Sequence, residues 1–142
     1  MGVPWAYGPK QFEVTGGTAS LIQLNVLSRG KLLSFMLRVS DAAATGAYAV
    51  YASELAAQQA TDIANAVILP GSVGIPPESY RVLSGSLVAG VADSPALQIS
   101  YSNRDGSPTN SVPRLWLVMH PVGVVGEVTA TVSMVIESVD FS

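Results

Sequence analysis

Val128-Thr129-Ala130-Thr131-Val132-Ser133-Met134-Val135-Ile136-Glu137-Ser138 is the stretch that decides the fold class of this chain. Val128, Ala130, Val132, Met134 and Ile136 alternate with Thr129, Thr131, Ser133 and Glu137. A period of two places the two sets on opposite sides of an extended backbone, so this is a long strand with one face for a core and one for a polar surface. Just upstream, Arg114 to His120 lacks that division: Leu115, Leu117 and Met119 point one way and Trp116 and Val118 the other, and both sets are apolar. A strand of this kind has to be covered on both sides, which predicts a central position.

The same period recurs toward the N-terminus. Leu33, Phe35, Leu37 and Val39 alternate with Ser34, Arg38 and Ser40. With Ser20 to Leu27 before it and Ser28-Arg29-Gly30-Lys31 as the connection, this segment predicts a hairpin. Shorter strands are expected at Ala47 to Ala52, Tyr80 to Ser84, Leu87 to Val91 and Ala96 to Ser102, with a turn at Asp93-Ser94-Pro95. Loops are expected at Pro70-Gly71, at Ile75-Pro76-Pro77 and from Asn103 to Pro108.

One segment is helical, Ser53 to Asn65. Ser53 suits an N-cap and Glu54 the positive end of the helix dipole, while Leu55, Gln59, Ile63 and Val67 mark a stripe at spacing four. Residues 1 to 9 hold Pro4, Gly8 and Pro9 around Trp5 and Tyr7, a composition that disfavours a helix and suits an extended arm outside the regular ladder. The fold class expected is therefore all-β: a β-sandwich or jelly roll of about eight strands, with one short inserted helix and an extended N-terminal arm, in a single domain spanning residues 1–142.

Composition bounds the function. Charged residues are 12% of the 142, about half the usual share, while hydrophobic residues are 49%. Mean hydropathy is +0.40. The longest uncharged stretches, Val14 to Ser28 and Ile63 to Pro77, fall short of the roughly 18 apolar residues of a spanning helix, and the first residues have neither the basic start nor the apolar core of a secretory leader. No membrane partner is expected. An exterior so poor in charge implies burial by partner subunits, hence a homo-oligomer or a larger assembly. Seven Lys and Arg against ten Asp and Glu, scattered singly, argue against nucleic acid.

No constellation for catalysis emerges, and the chain is expected not to be an enzyme. The single histidine, His120, has no Gly-x-Ser-x-Gly elbow to serve, and with no cysteine there is no thiolate nucleophile or zinc set. Glu137 and Asp140, three apart on a strand, point to opposite faces and read as edge charges that discourage strand addition. Asn103, Asp105 and Gly106 lack the distal glutamate of a calcium loop and read as a turn. No cofactor is expected. Val3, Pro4, Trp5 and Tyr7 are the candidate assembly interface, with the two aromatics as anchors.

The extended Val3-Pro4-Trp5 start, the Ala, Val, Gly and Ser rich β chain without cysteine, and the Tyr101-Ser102-Asn103-Arg104-Asp105-Gly106 loop leading into Arg114-Leu115-Trp116-Leu117 resemble the capsid decoration or cement proteins of tailed bacteriophages. That resemblance implies a virion protein that sits on the capsid surface as a trimer or other homo-oligomer and clamps neighbouring copies of a major capsid protein. The alternatives are a carbohydrate- or receptor-binding sandwich that uses Trp116 or Tyr101 as an exposed stacking platform, or another structural component of a phage tail or baseplate.

Overall fold

The computed structural model describes residues 4–26, 29–65, 80–102 and 115–138. Val3, Asp140, the loops expected at 70–77 and 103–108, Leu27 at the end of the strand expected from Ser20, and Ser28 of the connection at 28–31 lie outside them. In chain order the elements are β1 (Pro4–Thr15), β2 (Ser20–Leu24), β3 (Arg29–Val39), β4 (Gly46–Tyr51), α1 (Glu54–Ala64), β5 (Arg81–Leu87), β6 (Val91–Ser94), β7 (Ile99–Ser102), β8 (Leu115–Met119) and β9 (Glu127–Ser138). The fold is all-β, with the strands in two antiparallel sheets. The first sheet runs β1-β9-β3-β6, with β7 also paired to β3; the second runs β2-β8-β4-β5.

Chain neighbours rarely pair in this arrangement. Among the described strands only β4 and β5 are consecutive and hydrogen-bonded, and α1 lies between them in sequence. The hairpin expected between Ser20 and Ser40 does not form: β2 pairs with β8 and β3 with β9, in different sheets. The turn chemistry at 28–31 yields to burial, since β2 and β3 each bring an apolar face to opposite walls of one core. A second correction concerns phase within β3. A register shift between Leu32 and Ser34 puts Leu32 in the core and leaves Leu33 half-buried, with the Leu33 carbonyl accepting from the Leu97 N–H at 2.8 Å. A bulge of this kind reverses the faces of everything before it.

The long strand that opened the reading is central. β9 lies between β1 and β3, and Val128, Ala130, Val132, Met134 and Ile136 are buried while the residues between them are half-buried. Glu137 is thus not an edge charge; its strand neighbours are Pro4 on one side and Lys31 on the other. From the second sheet Leu115, Leu117 and Met119 close the core, each without solvent exposure. Phe35 of β3 stacks on Tyr48 of β4 across the sandwich, ring centroids 5.4 Å apart. Gly85 makes room for that tyrosine, because a Cβ there would sit 2.9 Å from the Tyr48 hydroxyl.

The outer face of the second sheet carries the third layer. Trp116, Val118, Tyr51 and Ala19 form a separate buried cluster with Ala56 and Ala57 of α1. Ser53 caps the helix as expected, its hydroxyl accepting from the Ala56 N–H at 3.3 Å. The buried side of α1 differs from the expected stripe, however: Ala56, Ala57 and Thr61 face the sheet and Leu55 is 51% exposed. An indole and a phenol already fill the space over the sheet, so only small side chains let the helix axis approach. Asn65 then ties the helix end to the start of β2, accepting from the Ala19 N–H at 2.7 Å and donating to the Ala19 carbonyl at 3.0 Å.

The turn expected at Asp93-Ser94-Pro95 lies elsewhere, since Asp93 and Ser94 belong to β6. The chain crosses from the second sheet to the first at Ala89-Gly90, where Val88 and Val91 exchange hydrogen bonds of 2.9 and 3.0 Å. Both central residues have positive φ, 53° for Ala89 and 76° for Gly90, as a two-residue hairpin turn requires.

Candidate functional site

The N-terminal segment is extended, but it is not apart from the ladder. Pro4 to Tyr7 pair with Glu137 to Met134, and Lys10 to Thr15 pair with Val132 to Glu127. The register shifts between Tyr7 and Lys10, so Gly8 and Pro9 sit in an irregularity that absorbs their poor fit to regular pairing. Val132 O would lie 2.3 Å from a Cβ at Gly8, which also has φ +87°, so this close approach needs glycine. The expectation that two prolines and a glycine exclude the arm from the sheet is therefore corrected. β1 is an edge strand, and at an edge a missing N–H donor is tolerated on the open side.

The candidate interface residues consequently separate. Tyr7, 7% exposed, belongs to the protein's own core, and its hydroxyl accepts from the backbone N–H of Asn25, linking β1 to the end of β2 in the opposite sheet. Burial raises the Tyr7 pKa above its usual value, partly offset by that hydrogen bond. Trp5 remains 38% exposed with its ring 6.2 Å from that of Tyr7, and Pro4 is exposed.

Trp5, Tyr7 and Phe12 line a cleft of about 410 Å³ between the open edges of β1 and β2. Its polar lining is Lys10, Gln11, Gln23 and Asn25. Lys10 is opposite the buried Val132, on the inward side of β1, yet is itself exposed because this side of the sandwich is open. Gln23 Nε2 donates to Asn25 Oδ1 at 2.8 Å, holding the two amides together. Sequence reasoning singled out Trp5 and Tyr7 but missed Lys10, Phe12, Gln11, Gln23 and Asn25, because strands β1 and β2 are joined here only by the closure of two sheets.

A second cleft, about 480 Å³, opens on the outer face of the second sheet beside α1. His120, Arg81, Ser84, Ser86 and Tyr51 line it over a floor of Ala47 and Ala49. The His120 N–H donates to the Ala47 carbonyl at 3.0 Å, which fixes its backbone. Among the described residues no carboxylate lines this cleft, and no group of three or more metal-ligating side chains gathers anywhere. No described helix is long and apolar enough to cross a membrane.

The two aromatics considered as stacking platforms are buried: Trp116 is 1% exposed and Tyr101 7%. Neither can meet a ligand from solvent. Burial alone drives the Tyr101 pKa well above its ordinary value.

The outer face of the first sheet is different. Thr129, Thr131, Ser133 and Val135 of β9, Ser34 and Met36 of β3 and Ala6 of β1 share it, on the register that places Ala6 opposite Val135 and Met36 opposite Ser133. Among the described residues no element is seen to pack across this face, and the main contacts of α1 are with β8, β2 and β4. Its charges lie at the two ends, with Lys31 and Glu137 at one and Glu13 at the other, and along the β6 side as Arg38 and Asp93. No protein-family model matches the chain, and no curated protein is similar to it.

Proposed function

We propose that this chain is a structural protein of a virion, a decoration or cement protein that stabilises a capsid by binding neighbouring capsid subunits and copies of itself. The observation that carries this reading is the uncovered outer face of the first sheet. The β9 row from Thr129 to Val135 at its middle is small and uncharged, and the charges flank it, Glu13 on β1, Arg38 on β3, Asp93 on β6 and Lys31 and Glu137 at one end, an arrangement like that of an interface whose core is depleted of charge. The scarcity of charge over the chain, 12%, points the same way. We also read the order β1-β9-β3-β6 against β2-β8-β4-β5 as that of a jelly roll, an architecture that serves in viral capsids and in lectins alike, so this support is by analogy of fold.

Sedimentation velocity from low to high micromolar concentration tests assembly. The intact chain is expected to sediment as an oligomer, and Val135→Lys, which adds a charge to the middle of the uncovered face, is expected to release monomers with an unchanged circular dichroism spectrum. A monomeric intact chain at high micromolar concentration overturns the self-association. Co-sedimentation with shells assembled from a major capsid protein tests the rest: the chain pellets with the shells on this reading and stays in the supernatant otherwise.

A further inference from the structure

The cleft between β1 and β2 adjoins the assembly face at Ala6 and Gln11 of β1, but its lining has a chemistry of its own. Trp5 is 38% exposed, its ring backed by that of Tyr7 at 6.2 Å, and the half-buried Phe12 lines the same cleft farther along β1. From the β2 side the cleft is lined by Gln23 and Asn25, and the bond between Gln23 Nε2 and Asn25 Oδ1 holds the two amides in a defined relation. By their chemistry that pair still has the Gln23 carbonyl as an acceptor and the Asn25 amino group as a donor. Among the described residues no carboxylate lines the cleft, and Lys10 is the one charged side chain in its lining. The volume, about 410 Å³, falls within the range of small-ligand sites, roughly 300 to 1,000 Å³.

We infer that this cleft binds a saccharide, with the apolar face of a pyranose ring lying on Trp5 and its hydroxyl groups bonded to Gln23, Asn25 and Lys10. A pyranose presents C–H groups on its ring face and donor and acceptor hydroxyls around its rim. An aromatic platform beside paired amides complements both. The structural support for the platform is already in place, because the Asn25 N–H donates to the Tyr7 hydroxyl and so fixes the amide wall relative to the aromatic one. Preorganisation of that kind lowers the cost of ordering the site around a ligand. A proline-rich peptide, the other common occupant of an aromatic-lined groove, would use the rings and leave the amide wall and Lys10 with little to bond.

The test is a ¹⁵N NMR titration of the full chain carrying Val135→Lys, so that its outcome does not depend on whether the chain self-associates. The probes are maltotriose, cellotriose, chitotriose, trigalacturonate and a proline-rich decapeptide. At least one saccharide is expected to shift the Trp5 indole N–H and the Gln23 and Asn25 side-chain amides while leaving the Trp116 indole, buried behind α1, unmoved. Trp5→Ala and Gln23→Ala should each weaken that binding at least tenfold. The inference is overturned if no saccharide moves the Trp5 indole at about 10 mM, if the Trp5→Ala chain binds as well as its parent, or if only the peptide binds. The assembly reading survives any of these results, because its own test is the sedimentation of the intact chain.

Discussion

Trp116 and Val135 occupy comparable places. Each is on the outward side of a strand that has neighbours on both edges, β8 in the second sheet and β9 in the first. Yet Trp116 is 1% exposed under α1, whereas Val135 is half-buried with nothing packed over it among the described residues. The difference follows from where the described helix α1 leaves the sheets. The crossover from β4 to β5 carries α1 over the second sheet, and the Ala56 and Ala57 face of the helix accepts the indole. Among the described residues the first sheet receives no such cover, and β9 carries threonine, serine, Val135 and Glu137 outward. A sandwich can therefore satisfy one outer face internally and leave the other to solvent or to a partner.

The largest expected effect tests the layer that both faces share. Leu117 is fully buried between the sheets, so Leu117→Asp places an unpaired carboxylate in the core. The cost, several kcal/mol against a total stability of about 5 to 15, is expected to abolish the cooperative thermal transition. A folded Leu117→Asp chain would show that β8 is not the centre of the core.

Trp116→Ala is expected to cost about 3 to 5 kcal/mol by chemical denaturation, since it empties the space beneath the helix. The equivalent change on the bare face, Val135→Ala, should cost less than about 1 kcal/mol because little area is lost. Equal costs would break the comparison. The Trp116 indole N–H is also buried with no hydrogen-bond partner among the described residues, which moderates what the tryptophan contributes.

Alkaline titration separates core from surface by another route. Tyr101 and Tyr7 have folded pKa values raised by burial, above the ordinary value of 10.0. Their stabilising effect is fully present below the unfolded pKa, about 10, and is lost as pH rises toward the folded values, because the unfolded chain gives up those protons first. Each such group contributes about 1.4 kcal/mol per pH unit to the fall. Denaturation midpoints measured between pH 9 and 12 are expected to drop, and Tyr101→Phe to flatten the drop.

The smallest predicted changes are local. Ala89 holds φ 53°, a left-handed conformation that costs a residue with a Cβ about 1 kcal/mol, so Ala89→Gly is expected to be neutral or to raise the melting temperature by a few degrees. Val135→Lys should alter stability by no more than about 0.5 kcal/mol while changing the sedimentation coefficient. A large loss of stability would mean that Val135 is covered by the protein's own chain.

Much of the core was legible in the chain because period-two alternation is a local property. It correctly divided β9 into a buried and a half-buried side and marked Leu115, Leu117 and Met119 against Trp116 and Val118. The hairpin and turn assignments around it failed where local turn chemistry competes with burial. Leu32 replaces Leu33 in the core through a bulge that no spacing rule announces, and β2 abandons its sequence neighbour for β8. The helix was placed by Ser53, yet its buried side was misjudged, since Leu55 is the stronger apolar residue but the site over Trp116 has room only for alanine.

The candidate site divides in the same way. Trp5 and Tyr7 could be picked from the sequence as the aromatics of an extended start, but their fates differ, and only the pairing of β1 with β9 decides that Tyr7 turns into the core while Trp5 stays half open. Gln23 and Asn25 line the same cleft as Trp5 from the β2 side. Alternation, capping and charge content are written within a few residues of one another, so the sequence alone determines an all-β chain, its central strands and the helix that Ser53 caps. Which strands become neighbours, which face stays bare and which side chains meet across the open edge depend on contacts between residues far apart in the chain, where burial of a common core overrides every local preference, and these the tertiary structure alone decides.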